Sequence, residues 1–195
     1  MQFKSGTFVM SLLTAGFVSL SCDSDVIQPP DPTEGHFPLQ VGNRWTYALA
    51  GNESFELSHE IVGTTRIDSH GYFVLRRQFG EDANSDSVFY RVESPGRIFT
   101  NHNGEDVLYI DFNLPVGDTW ESFGAFIARI VRKGFTSSVP AGDFENSIEV
   151  FFDVPQVIDD ENTRVFAKGI GLVEMRAQIG IIQLESAVVS GVAIP

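Results

Sequence analysis

The chain has a single cysteine, Cys22, among 195 residues. No disulfide can close within it, so the fold must be held by packing and hydrogen bonds. Positive charge is also scarce: Lys and Arg number 13 against 26 Asp and Glu, a formal net charge of −13. Nucleic-acid binding depends on cations that neutralise phosphates, so this composition excludes nucleic acid as a partner. It equally excludes a polybasic membrane patch. The acidic surplus reads as solubility. Linear catalytic signatures are missing, since no GxSxG, HExxH, SxxK or P-loop pattern occurs. The four histidines, His36, His59, His70 and His102, lack metal-ligand spacing and read as surface or turn residues. These absences lead to the expectation of a non-enzyme, with no catalytic residue, no metal and no cofactor.

What is present begins with an address. Residues 1–22 read MQFKSGTFVMSLLTAGFVSLSC. Lys4 precedes an apolar stretch from Thr7 to Leu20, 14 residues long. That is too short for a comfortable membrane span and suits the core of a signal peptide. Small residues then lead into Cys22. The arrangement resembles the lipobox of bacterial lipoproteins, in which the cysteine after the cut receives a lipid anchor. The resemblance implies a signal peptide over 1–21 and Cys22 as the anchor; the alternative is an ordinary secretory signal with an incidental cysteine. Residues 22–36 follow as a tether. Pro29, Pro30 and Pro32 keep it extended and remove backbone donors.

From residue 37 to residue 195 the chain alternates in the manner of β-structure. Hydrophobic residues make up 43% and Phe alone contributes 17, enough for a substantial core. Trp45, Tyr47 and Leu49 fall on one face of a strand, with Arg44, Thr46 and Ala48 on the other. Further strands are predicted at 55–67, 72–79, 87–93, 97–101, 106–112, 119–133, 144–154, 163–169, 171–178 and 181–190. Their links are short and rich in Gly, Asn, Asp and Pro, which favours antiparallel neighbours. The expected fold is all-β, a single antiparallel domain of about 10–11 strands. It forms a strongly curved sheet or open barrel, with a β-sandwich as the alternative. Gly63 and Gly124 interrupt the two longest strands where bends would be needed.

One phrase occurs twice. LQVGNRW at 39–45 and LPVGDTW at 114–120 share Leu-x-Val-Gly-(Asn/Asp)-x-Trp and hold both tryptophans of the chain. Gly permits positive φ. Asn and Asp side chains can bond nearby backbone. Each copy therefore reads as a tight corner that opens an aromatic-anchored strand, with Gly42 and Gly117 at positive φ and both tryptophans buried.

FPLQVGNRWTY (37–47), LPVGDTW (114–120), VPAGDFENSIEV (139–150) and FAKGIGLVE (166–174) stand in an order that resembles a group of uncharacterised bacterial lipoproteins. Those proteins carry PLxxGNxWxY, then PAGxF, then GIGLV. The resemblance implies an all-β domain of the bacterial cell envelope, lipid-anchored at Cys22 in the outer membrane on its periplasmic or surface face. It brings no activity with it.

Two stretches have the look of ligand loops. GIGLVE (169–174) lacks the third glycine of a dinucleotide loop and reads as glycines at a bend between strands. In DANSDSVFYRVE (82–93), Asp82, Asn84, Asp86 and Glu93 occupy positions of a calcium loop, but Ser87 stands where glycine is needed. A solvated hairpin turn is the expectation there. The partners that remain are the membrane, reached through the N-terminal lipid, and either an apolar ligand held in the curved sheet or an envelope protein docked on it as a scaffold.

Overall fold

The computed structural model describes residues 35–80, 84–155, 157–158 and 160–195. The signal peptide, Cys22, most of the tether and Asp82 lie outside the described residues. The chain forms two successive meanders. The first contains β1 (Arg44–Leu49), β2 (Asn52–Ile67), β3 (His70–Phe79), β4 (Asn84–Ser94), β5 (Arg97–His102) and β6 (Glu105–Asp111). The second contains β7 (Thr119–Glu121), β8 (Ile127–Val139), β9 (Gly142–Asp153), β10 (Asn162–Ala167), β11 (Gly171–Ala177) and β12 (Gly180–Val189), and a short β13 (Val192–Ile194) returns along β12.

All of these strands share one sheet, in the order β6-β5-β4-β3-β2-β1-β12-β11-β10-β9-β8-β7. Chain order thus runs around a nearly closed antiparallel ring. One join, β1 with β12, is a backbone ladder. The other, between β6 and β7, has no ladder and is made by side chains. Trp120 Nε1 and Ser122 Oγ both donate to the Tyr109 carbonyl, at 3.1 and 3.0 Å, and Lys133 Nζ donates to the Phe112 carbonyl at 2.7 Å. The Tyr109 carbonyl on the β6 edge is thereby bonded without a ladder.

The expected curved all-β domain is therefore what forms, as one sheet and not a sandwich. Two details differ from expectation. There are thirteen strands among the described residues, because the 119–133 segment is divided and β13 was too short to read. The division falls at a 3-10 turn, Phe123–Ala125, where Gly124 has φ +59 and Ala125 φ +70. Gly124 does mark a bend, but one tight enough to end a strand. Gly63 sits beside a bulge at Val62 that bends β2 without breaking it.

Alternation decides what faces inward. Leu57, Ile61, Leu75, Ile130, Val150, Phe152, Phe166 and Leu184 are buried inside the ring. The outer face carries cross-strand ion pairs, including Arg76–Glu60, Arg132–Glu149 and Arg176–Glu149.

Each meander begins at one copy of the repeated phrase. Gly42 has φ +93 and Gly117 φ +94, in the left-handed region that only glycine enters at no cost. Gly42 N–H donates to the Ile61 carbonyl at 2.9 Å, and Gly117 N–H to the Ile130 carbonyl at 2.9 Å. Ile61 and Ile130 N–H groups return bonds to the Asn43 and Asp118 carbonyls. In both copies the following strand shifts register immediately after that isoleucine, at Val62 and at Val131. Trp45 and Trp120 are both buried. The repeat is thus a whole structural unit: a corner, a buried tryptophan and a bulged long strand.

Candidate functional site

The curvature leaves space inside the ring. An apolar chamber of about 310 Å³ lies against β1, β2, β3, β10, β11 and β12. Its walls include Trp45, Tyr47, Leu57, Ile61, Leu75 and Phe166. Phe79 and Ile179, 44% and 59% exposed, also line it, so its mouth opens to solvent through an apolar rim. A second hollow of about 550 Å³ adjoins it and is more polar, bounded by Thr100, Asn101, His102 and Asn103 as well as Phe89, Phe123 and Phe126. Arg77, Tyr90, Tyr109 and Arg164 line both spaces and form the partition between them.

Two of the phrases quoted above, FPLQVGNRWTY (37–47) and FAKGIGLVE (166–174), meet at the apolar chamber. Trp45 Nε1 donates to the Ile170 carbonyl at 2.7 Å, and Tyr47 Oη to the Leu172 carbonyl at 3.0 Å. Gly171 has φ +99, and a β-carbon there would stand 3.2 Å from Pro38 and 3.7 Å from the Trp45 ring. PLxxGNxWxY and GIGLV therefore form one wall, in which glycine is needed both for its φ and for the close approach of proline and tryptophan. GIGLVE is indeed a bend between strands. Trp45 is a structural anchor and a chamber wall at once, whereas Trp120 belongs only to the side-chain join.

The partition is an aromatic cluster around two guanidiniums. Tyr109 packs on Tyr90 at 5.1 Å, on Phe123 at 5.6 Å and on Phe152 at 5.9 Å between ring centroids. Phe37 closes edge-on against Tyr90 at 5.0 Å. Arg164 lies over Phe152, 4.6 Å from its ring centre, donates from Nε to Asn162 Oδ1 at 3.0 Å, and donates from Nη1 to Tyr109 Oη. Arg77 makes a two-pronged pair with Asp86 across β3 and β4. That bond holds the Arg77 guanidinium above its ordinary range and the Asp86 carboxyl below its own. Burial raises the phenols of Tyr47 and Tyr90, so both are neutral donors.

The histidine expectation needs correction. His70 is exposed at a turn, but His59 stands directly opposite Trp45 and Arg77 on its neighbouring strands, inside the chamber. Its ring meets Tyr47 edge-on at 5.0 Å, and its Nε2 is buried with no hydrogen-bond partner among the described residues. Burial, reinforced by the nearby Arg77 and Arg164, lowers the imidazole to about 3 and keeps it neutral. His102 lines the polar hollow, and His36 packs on Phe112 at 5.3 Å with Nε2 bonded to the Asn146 carbonyl. The signal for His59 was present in the sequence: Phe55, Leu57, His59 and Ile61 alternate, which puts His59 on the apolar face.

The calcium-loop residues are not brought together as a loop. Asn84–Ser94 is extended as β4, Asp86 is held by Arg77, and Glu93 is paired with Arg97.

The architecture is that of a nearly closed, single-sheet antiparallel β barrel with an internal chamber. The same fold occurs in a chain from Bacteroides fragilis, provisionally described as an exported protein with a YmcC-like fold. It matches 77% of this chain and 97% of its own length at a TM-score of 0.50 and 17% identity. A chain from Parabacteroides distasonis, provisionally described as a lipoprotein, matches 79% and 98% at a TM-score of 0.45 and 14% identity. No family model matches this chain, and no curated protein does. What is shared with the Bacteroides fragilis chain at 17% identity is the fold alone.

Proposed function

We propose that this chain is a lipid-anchored protein of the bacterial cell envelope, held through Cys22 in the outer membrane, whose barrel binds an apolar ligand such as a single acyl chain. The observation that carries the reading is the apolar chamber of about 310 Å³ that opens through an exposed apolar rim. Cavities of about 300–1,000 Å³ with mostly apolar walls are the usual containers for small ligands. Leaving such walls facing water forfeits the gain of burial, about 25 cal/mol per Å². A tail that fills the space recovers it. The role is binding and not catalysis, because the polar groups that reach the chamber are arranged as a partition and not as a nucleophile with its base. The N-terminal address, the tether and the acidic surface suit a domain suspended beside a membrane.

The test is titration of the delipidated chain with a fluorescent fatty acid. Saturable binding at micromolar ligand is expected. Leu57→Trp, which fills the chamber, should abolish it while circular dichroism still reports a folded sheet. Absence of saturable binding by the folded wild-type chain would overturn the reading and leave the scaffold role in its place.

A further inference from the structure

We infer that the chamber selects an anionic amphiphile, one whose carboxylate or phosphate head is bound at the partition by Arg164 while its tail lies among the apolar walls. The inference rests on the binding role proposed above and adds the chemistry of the ligand's head.

Its first support is the state of Arg164. The partly buried arginines are Arg77, Arg91, Arg97 and Arg164. Arg77 pairs with Asp86, Arg91 with Asp106, and Arg97 with Glu93. Arg164 pairs with no carboxylate among the described residues, although acidic side chains outnumber basic ones two to one, 26 against 13. Its hydrogen bonds go to two neutral oxygens, Asn162 Oδ1 and Tyr109 Oη. A guanidinium has five N–H donors, so most of its capacity is unspent, in a place where water is partly excluded by Phe152 and Tyr109. A charge removed from water is costly unless it is paired.

The second support is independent. His59 Nε2 is buried in the same chamber with no partner among the described residues. The His59 ring lines the chamber, but this nitrogen has no accessible surface and meets a ligand only when the ring turns. Arg77, committed to Asp86 on one side, adds a second positive charge to the partition. The three groups come from β2, β3 and β10 and so converge from opposite walls. An anionic oxygen at the partition would answer the unspent Arg164 N–H groups, with the Arg77 charge beside them. A neutral ligand would bring Arg164 no counter-charge. Charge-assisted hydrogen bonds are the strong ones, so the head should add substantially to the affinity of the tail.

The experiment compares heads on one tail. The delipidated full chain, loaded with a fluorescent fatty acid, is challenged with three competitors of equal chain length: a fatty acid, a monoalkyl phosphate and the fatty acid methyl ester. The expected result is that at least one anionic competitor displaces the probe about tenfold more effectively than the ester. Which anion is stronger tells carboxylate from phosphate. In Arg164→Met the ratio of anion to ester displacement should fall to about one. Equal displacement by all three in the wild-type chain overturns the head-group assignment and leaves the apolar-ligand reading intact. Failure of every amphiphile, the probe included, to bind overturns both. The wild-type comparison stands whether or not the variant folds.

Discussion

The two corners that open the meanders share backbone geometry to within a degree at glycine, yet they differ at the residue that follows it. Asn43 is fully buried and Asp118 is exposed. Asn43 Nδ2 donates to the Pro38 carbonyl at 2.9 Å, and Asn43 Oδ1 accepts from Ser190 N–H at 2.8 Å. An amide donates on one side and accepts on the other without charge, which a carboxylate cannot do. This side chain therefore staples β1 to the end of β12, on the side of the ring closed by a ladder. Asp118 stands at the join that has no ladder, where water solvates its carboxylate. One corner phrase thus serves two joins, and the Asn/Asp exchange records which of them is sealed.

The largest effects should come from the tryptophans. Trp45→Ala is expected to cost about 4 kcal/mol and Trp120→Ala about 3 kcal/mol in urea denaturation. The first is larger because Trp45 also ties β1 to the turn before β11 and walls the chamber. A larger loss at Trp120 would mean that the side-chain join, and not the laddered one, holds the ring together. Asn43→Asp should cost about 3 kcal/mol at pH 7, because it buries a carboxylate facing the Pro38 carbonyl. The difference from wild type should shrink at pH 4, where a protonated carboxyl can donate to that carbonyl. An Asn43→Asp protein as stable as wild type at neutral pH would break the distinction between the corners.

Smaller effects test the likeness of the corners. Gly42→Ala and Gly117→Ala should each cost about 1 kcal/mol, equally, because an added methyl meets nothing within 4 Å at either site and only the backbone is strained. Asp118→Asn should change stability by less than about 0.5 kcal/mol, as an exposed substitution does.

Much of this was legible in the sequence for a physical reason. Period-two alternation, broken by Gly, Asn and Pro, marks strands that are wet on one face, and it located most of them. The repeated corner declared itself because positive φ restricts the choice to glycine at positions 42 and 117. Three features were not legible. The hairpin at Pro140 and Ala141 lies inside a run that reads as loop, yet Ala141 is buried and its N–H donates to the Leu184 carbonyl at 3.0 Å. The bulges at Val62 and Val131 depend on partners far along the chain. The partition depends on closure of the ring, since Arg164 meets Tyr109 across 55 residues. His59 was legible and was misread, because a polar residue within an apolar alternation was assigned to the surface by its type and not by its place.

The chamber is tested most directly with the two tryptophans as reporters, since Trp45 lines it and Trp120 does not. Trp120→Phe leaves only Trp45, and Trp45→Phe leaves only Trp120. Each protein would be titrated with a fatty acid that bears a quenching nitroxide on its tail. The account predicts saturable quenching of Trp45 at micromolar ligand and little quenching of Trp120. Equal quenching of both, or none of Trp45 in a folded protein, would contradict it.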